Sequence, residues 1–96
     1  MATSINKGTD VQIWNFELNA TTDTGVMLNT RFVNSLIIQC RTAVDIYLRK
    51  EQGDTEYFTI KSGTVLHLDV SNRELVPLWL KSASTTPVAE IIGYKE

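Results

Sequence analysis

The sequence holds one cysteine, two prolines, five glycines and one histidine in 96 residues, and each scarcity removes a class of protein. The lone thiol, Cys40, closes no internal disulfide, so the fold stands on its core rather than on covalent staples. The one histidine, His67, cannot supply the several converging imidazole and carboxylate ligands of a metal-dependent β-sandwich enzyme. There is no G-x-S-x-G motif and no Gly-rich phosphate loop. Lysine and arginine number 9 against 11 aspartates and glutamates, for a net charge of -2, and they are scattered singly. Without a basic patch to neutralise phosphates, a nucleic-acid partner is not expected. No apolar run approaches the ~18 residues of a membrane span, so no membrane partner is expected either. The opening stretch, MATSINKGTD, lacks the apolar centre of a signal peptide, and Sec export is not expected.

The acids that remain form no recognisable site. Asp23, Asp54 and Glu56 are single loop carboxylates without the ligand spacing of a calcium loop. Glu51 and Glu56 flank one polar loop and read as solvated charge rather than as a glycosidase pair. His67 and Asp69 share a strand face, but with no nucleophile motif they read as an exposed pair or an interface histidine. Cys40 falls in phase with Leu36 and Ile38 and reads as a small buried hydrophobe. The tripeptide Asn19-Ala20-Thr21 matches a glycosylation acceptor by chance. No cofactor is expected and the chain does not read as an enzyme.

What the sequence does have is alternation. Apolar residues make up 43% and charged residues 21%, which suits an ordinary globular domain rather than a disordered chain. The stretch from Ser35 to Val70 carries four runs with a period of two: Leu36, Ile38 and Cys40; Val44, Ile46 and Leu48; Phe58 and Ile60; Leu66, Leu68 and Val70. Successive strand side chains point to opposite faces, so each run presents one apolar face to a core. Arg41-Thr42, Lys50–Thr55 and Lys61–Gly63 connect them closely, with Gly53 and Gly63 where a turn wants positive φ, and predict antiparallel neighbours.

On either side lie further strands. Asp10–Leu18 is the first, where Val11 and Ile13 fall on one face and Trp14, Phe16 and Leu18 on the other. That change of phase predicts a bulge, or cover on both faces. Val26–Leu28 suits a short edge strand after the Thr- and Asp-rich loop 19–25. Val76, Leu78 and Leu80 alternate, with Pro77 pointing to an edge position or a strand start. Ser82–Pro87 predicts a hairpin loop, and Val88–Tyr94 a last strand whose Ala89 and Ile91 face inward, since the other facing would bury Glu90. The expected fold is all-β, a small antiparallel β-sandwich, jelly-roll-like, of about seven or eight short strands, with a compact barrel as the alternative. Residues 1–9 are expected to be an extended arm and 10–96 a single β-sandwich domain.

Apolar residues also fall opposite the core-facing sets: Val33, Ile37, Tyr47, Tyr57, Val65 and Trp79. An outer face of a small sandwich is normally polar, so these, with His67 and with Ile5 in the arm, are the candidate interface residues.

Three local features resemble the small β-sandwich structural proteins of tailed-bacteriophage virions. They are Asp45-Ile46-Tyr47-Leu48 after a short turn, the run from Tyr57 to Leu66 with its Gly turn, and Leu78-Trp79-Leu80-Lys81-Ser82 before a Ser/Thr loop and a terminal strand. Such modules are capsid decoration, head-fibre and tail accessory proteins. The resemblance implies a non-enzymatic structural protein, assembled in the host cytoplasm and located in the virion. Its partners would be its own copies, with a trimer favoured, and other virion proteins such as the major capsid protein. It assigns no individual functional residue. The alternative reading is a carbohydrate-binding module, in which Trp14, Trp79, Tyr47 and Tyr57 would offer coplanar stacking faces.

Overall fold

The alternation becomes strand throughout. The computed structural model describes residues 11–31, 33–71 and 74–95. In it the chain forms β1 (Val11–Glu17), β2 (Thr24–Asn29), β3 (Ser35–Cys40), β4 (Ile46–Arg49), β5 (Phe58–Ile60), β6 (Val65–Asp69), β7 (Leu75–Ser82) and β8 (Val88–Tyr94), with no helix among the described residues. These make two four-stranded antiparallel sheets. The first runs β1-β8-β3-β6 and the second β2-β7-β4-β5.

The pairing is nested about one tip. β4 pairs with β5, β3 with β6, β2 with β7 and β1 with β8, as in a single long hairpin whose turn lies between β4 and β5. Rolling that hairpin brings β8 beside β3 and β7 beside β4, which closes each sheet laterally. The result is a jelly roll, a two-sheet sandwich rather than a closed barrel.

This topology corrects the expectation that short links join neighbours. Among the described strands only β4–β5 is a hairpin between consecutive strands. The links 41–45, 61–64 and 83–87 each pass from one sheet to the other. A brief polar segment with a turn residue reverses the chain as readily across the sandwich as within a sheet. Gly53 and Gly63 do take positive φ, 72° and 78°, as their turns require. The expected bulge in β1 is absent. Its register with β8 is regular from Val11↔Tyr94 to Glu17↔Val88, and the change of phase arises because Ile13 is left exposed. Pro77 stands in β7 beyond the last β4 pair, Arg49↔Trp79, where β7 is paired on one side only.

The core is where the two inner faces meet. Leu36, Ile38, Ala89 and Ile91 from the first sheet pack against Val26, Leu28, Ile46, Ile60, Leu78 and Leu80 from the second, all buried. Ala89 and Ile91 face inward as the patterning requires, and Cys40 is half-buried against the core. Phe58 shares the inward phase of Ile60 yet is exposed, because β5 is a short strand at the edge of its sheet. Gly25 serves a close approach: a Cβ there would lie 2.6 Å from Cζ3 of Trp79, whose ring crosses the β2 backbone. Gly25→Ala is therefore expected to cost about 1–3 kcal/mol, read as a lower urea midpoint. An unchanged midpoint would mean that the ring does not rest there.

Candidate functional site

Register places the outward residues of the first sheet on a grid, with Glu17 and Val88 at one end. Its middle row is Ile13, Ile92, Ile37 and His67, taken in order across β1, β8, β3 and β6. One flanking row is Val11, Tyr94, Ser35 and Asp69, and the other is Asn15, Glu90, Gln39 and Val65. Three isoleucines thus sit side by side on an outward face. Ile13 is 68% exposed, Val65 55% and Val11 41%, while Ile37 and Ile92 are half-buried. Covering a side chain such as Ile13 would contribute about 1.5–3 kcal/mol. The grid is not uniform, since Ser35 and Tyr94 are buried.

Polar groups frame this strip. The Arg41 guanidinium donates to Glu90 at 2.9 Å and the Gln39 amide donates to its other oxygen at 3.0 Å. Those bonds, the arginine's first, hold the Glu90 carboxyl below the usual carboxylate range. At the opposite corner the Ser71 backbone N–H donates to Asp69 at 2.9 Å. This bond, with the Ser71 hydroxyl and the charge of His67, lowers the Asp69 carboxyl. The His67 ring stacks near Tyr94, with centroids 6.4 Å apart.

The outer face of the second sheet is built differently. Arg49 donates through Nη1 to Asp23 at 2.8 Å and through Nε to the carbonyl of Asp54 at 2.8 Å. Asp23 also accepts from the Gly53 N–H at 2.8 Å. Because β7 lies between β2 and β4, these bonds draw the β4–β5 loop across β7 to the start of β2. The ion pair is largely enclosed, with side chains 13% and 5% exposed. The Arg49 guanidinium also lies 4.9 Å from the Tyr57 ring centroid, and Tyr57 meets Tyr47 edge to face at 69°.

The candidate interface residues therefore divide between opposite sides of the sandwich. Ile37, Val65 and His67 lie together on the first sheet. Tyr47 and Trp79 lie outward on the second, half-buried, with Tyr57 exposed beside them. Val33 is a correction: it is 5% exposed and belongs to the core. Its N–H donates to the Thr30 carbonyl at 3.2 Å, so a turn breaks the alternation before β3 begins and the side chain swings inward. Ile5, with the arm 1–9, lies outside the described residues. Trp14, one of the four rings weighed for sugar stacking, packs on the core, and the two tyrosines are not coplanar. Among the described residues no three of His, Cys, Asp and Glu converge to hold a metal ion.

Two features escaped the sequence reading. Ile13 and Ile92 complete the isoleucine row, yet their partnership with Ile37 depends on strand order. Asp23 and Arg49 meet only because the β4–β5 loop folds back.

No protein-family model matches the sequence, and no curated protein does. Among solved structures, the chain is similar to a de novo designed double-stranded β-helix determined by solution NMR. The likeness has a TM-score of 0.57 at 14% identity and covers 88% of this chain and 99% of the design. It concerns the fold alone and agrees with the two-sheet roll.

Two outcomes follow. Arg49→Met leaves the Asp23 carboxylate enclosed without its counter-charge and should cost about 3 kcal/mol, measured by urea denaturation. The double variant Asp23→Leu/Arg49→Met should recover most of that loss. For pH, the folded carboxyls of Asp69 and Glu90 lie below their unfolded values. Their contribution is thus complete above about pH 4.5 and is lost as pH falls through the lower folded values. Tm should hold from neutral pH down to that point and then fall. Glu90→Gln should flatten part of the decline, and an identical slope in the variant would count against the Arg41–Glu90 contribution.

Proposed function

We propose that this chain is a non-enzymatic assembly protein, a structural component of a tailed-phage virion such as a capsid decoration or accessory protein. It acts by burying the outer face of its first sheet against copies of itself and against other virion proteins, the major capsid protein among them. The observation that carries the assembly reading is the outward row Ile13–Ile92–Ile37 with Val11 and Val65 beside it. A contiguous apolar strip on a sheet face favours covering by protein surface, and framing by ion-paired and hydrogen-bonded polar groups suits the rim of such a contact. The virion context comes from the resemblance of the segments 45–48, 57–66 and 78–82 to that class of β-sandwich protein, which also favours a trimer.

The mass in solution, by size-exclusion chromatography with light scattering, tests the assembly reading. A closed oligomer is expected. The double variant Ile37→Thr/Val65→Thr keeps β-branched side chains while removing apolar surface, and should weaken self-association at least about tenfold, or ~1.4 kcal/mol. A monomer at every concentration, or an oligomer indifferent to both substitutions, would count against this face.

A further inference from the structure

The second sheet carries a cleft that its ion pair helps to build. It is lined by the loop before β2, the β4–β5 loop and Lys81 of β7, and its volume is about 260 Å³. Among the described residues no apolar side chain lines it. Its walls are held in place by bonds within the chain. Asp23 accepts from Arg49 Nη1 and from the Gly53 N–H, and Arg49 Nε donates to the Asp54 carbonyl, each at 2.8 Å. The loop before β2 is pinned as firmly. The backbone N–H and hydroxyl groups of Thr21 and Thr22 all donate to Asn19 Oδ1, at 2.7–3.1 Å.

The groups left free decide what the cleft can take. Each threonine hydroxyl uses its one hydrogen on Asn19 and keeps lone pairs to accept. Asp54 accepts from the Glu56 N–H through Oδ1 and keeps Oδ2. Arg49 keeps Nη2, and the side chains of Lys81 and Gln52 make no hydrogen bond or ion pair among the described residues. Donors therefore stand on Lys81 and Arg49, acceptors on the threonines and Asp54, and both kinds on Gln52. The two carboxylates in the lining, Asp23 and Asp54, are balanced by the two cations, Arg49 and Lys81. An anion drawn to Lys81 would meet Asp54, and a cation drawn to Asp54 would meet Lys81. An apolar molecule would leave all these groups without partners. What fits is a neutral molecule whose own groups donate and accept at once.

We propose that this cleft binds a saccharide unit. A sugar ring carries several hydroxyls, each both donor and acceptor, and its size suits a cleft slightly below the range of drug-sized pockets. Tyr57, 53% exposed, lies 4.9 Å from the same Arg49 guanidinium and gives the cleft an aromatic neighbour. Because the walls are set before a ligand arrives, little ordering opposes binding. The site is a polar cleft rather than a platform of coplanar rings. It also lies on the sheet opposite the isoleucine row, so it does not depend on the assembly reading. A subunit joined through its first sheet would present this cleft on its other side.

The test is a titration of the full chain, followed by amide NMR, with glucose, galactose, mannose and N-acetylglucosamine, and with acetate as a charged control. At least one sugar should shift the Thr22, Gln52, Gly53 and Asp54 amides saturably while Ile37 and Val65 stay unmoved. Gln52→Ala and Lys81→Ala remove groups that hold nothing else, so each should weaken that binding about tenfold or more, or ~1.4 kcal/mol, with an unchanged urea midpoint. No saturable shift at those amides with any of the sugars would overturn the proposal. So would equal shifts with acetate, which would make the cleft an anion site, or binding indifferent to both substitutions. None of these results bears on the mass in solution, which tests the assembly reading separately.

Discussion

Everything in this molecule depends on one long hairpin being folded over itself. Two apolar inner faces must meet, and apart from β4–β5 no neighbours in either sheet are consecutive in sequence. The nested pairs supply both sheets at once, and the lateral contacts of β8 with β3 and of β7 with β4 hold the roll shut. β8 is the strand on which this turns. It is paired along both edges, it places Ala89 and Ile91 in the core, and it brings Ile92 between Ile13 and Ile37. Backbone register thus sets the outward surface as firmly as it sets the core.

The two outward faces use apolar and aromatic groups in contrasting ways. On the second sheet the chain covers itself, since the Asp23–Arg49 ion pair draws the β4–β5 loop over β7 and Trp79 lies across Gly25. Such an enclosed pair adds modest net stability compared with an apolar equivalent, and its value lies in fixing where the loop lies. On the first sheet Ile13 and Val65 remain exposed, on the two end strands β1 and β6. The loop covers only part of the second face, where Met27, Leu75 and Tyr57 stay exposed as Ile13 and Val65 do on the first.

How much of this was legible in the sequence follows from the range of each interaction. Alternation is local, so Leu36/Ile38, Leu78/Leu80 and Ala89/Ile91 showed their facing directly, and the glycine turns announced themselves at Gly53 and Gly63. Strand partnership is not local. Lys61–Gly63 and Ser82–Pro87 have the chemistry of hairpins yet pass between sheets, because turn residues specify a reversal and leave its plane to the core. Val33 misled for a related reason, since alternation loses its phase at the Thr30 turn. The isoleucine row and the Asp23–Arg49 pair join residues far apart in sequence, and each side chain alone is unremarked among its neighbours.

The nested order also has a bearing on how the chain matures during synthesis. The β4–β5 hairpin has both its strands early, but β1 must wait for β8, the eighth strand in chain order. Until then Trp14, Phe16, Leu36 and Ile38 lack the strand that joins their halves of the sheet. Contacts so distant along the chain form slowly, and the loop they close takes in the six strands between β1 and β8. A nascent or prematurely terminated chain therefore holds an incomplete sheet with open edges, the state most prone to associate wrongly. The sheet β1-β8-β3-β6 is complete only once β8 has been made.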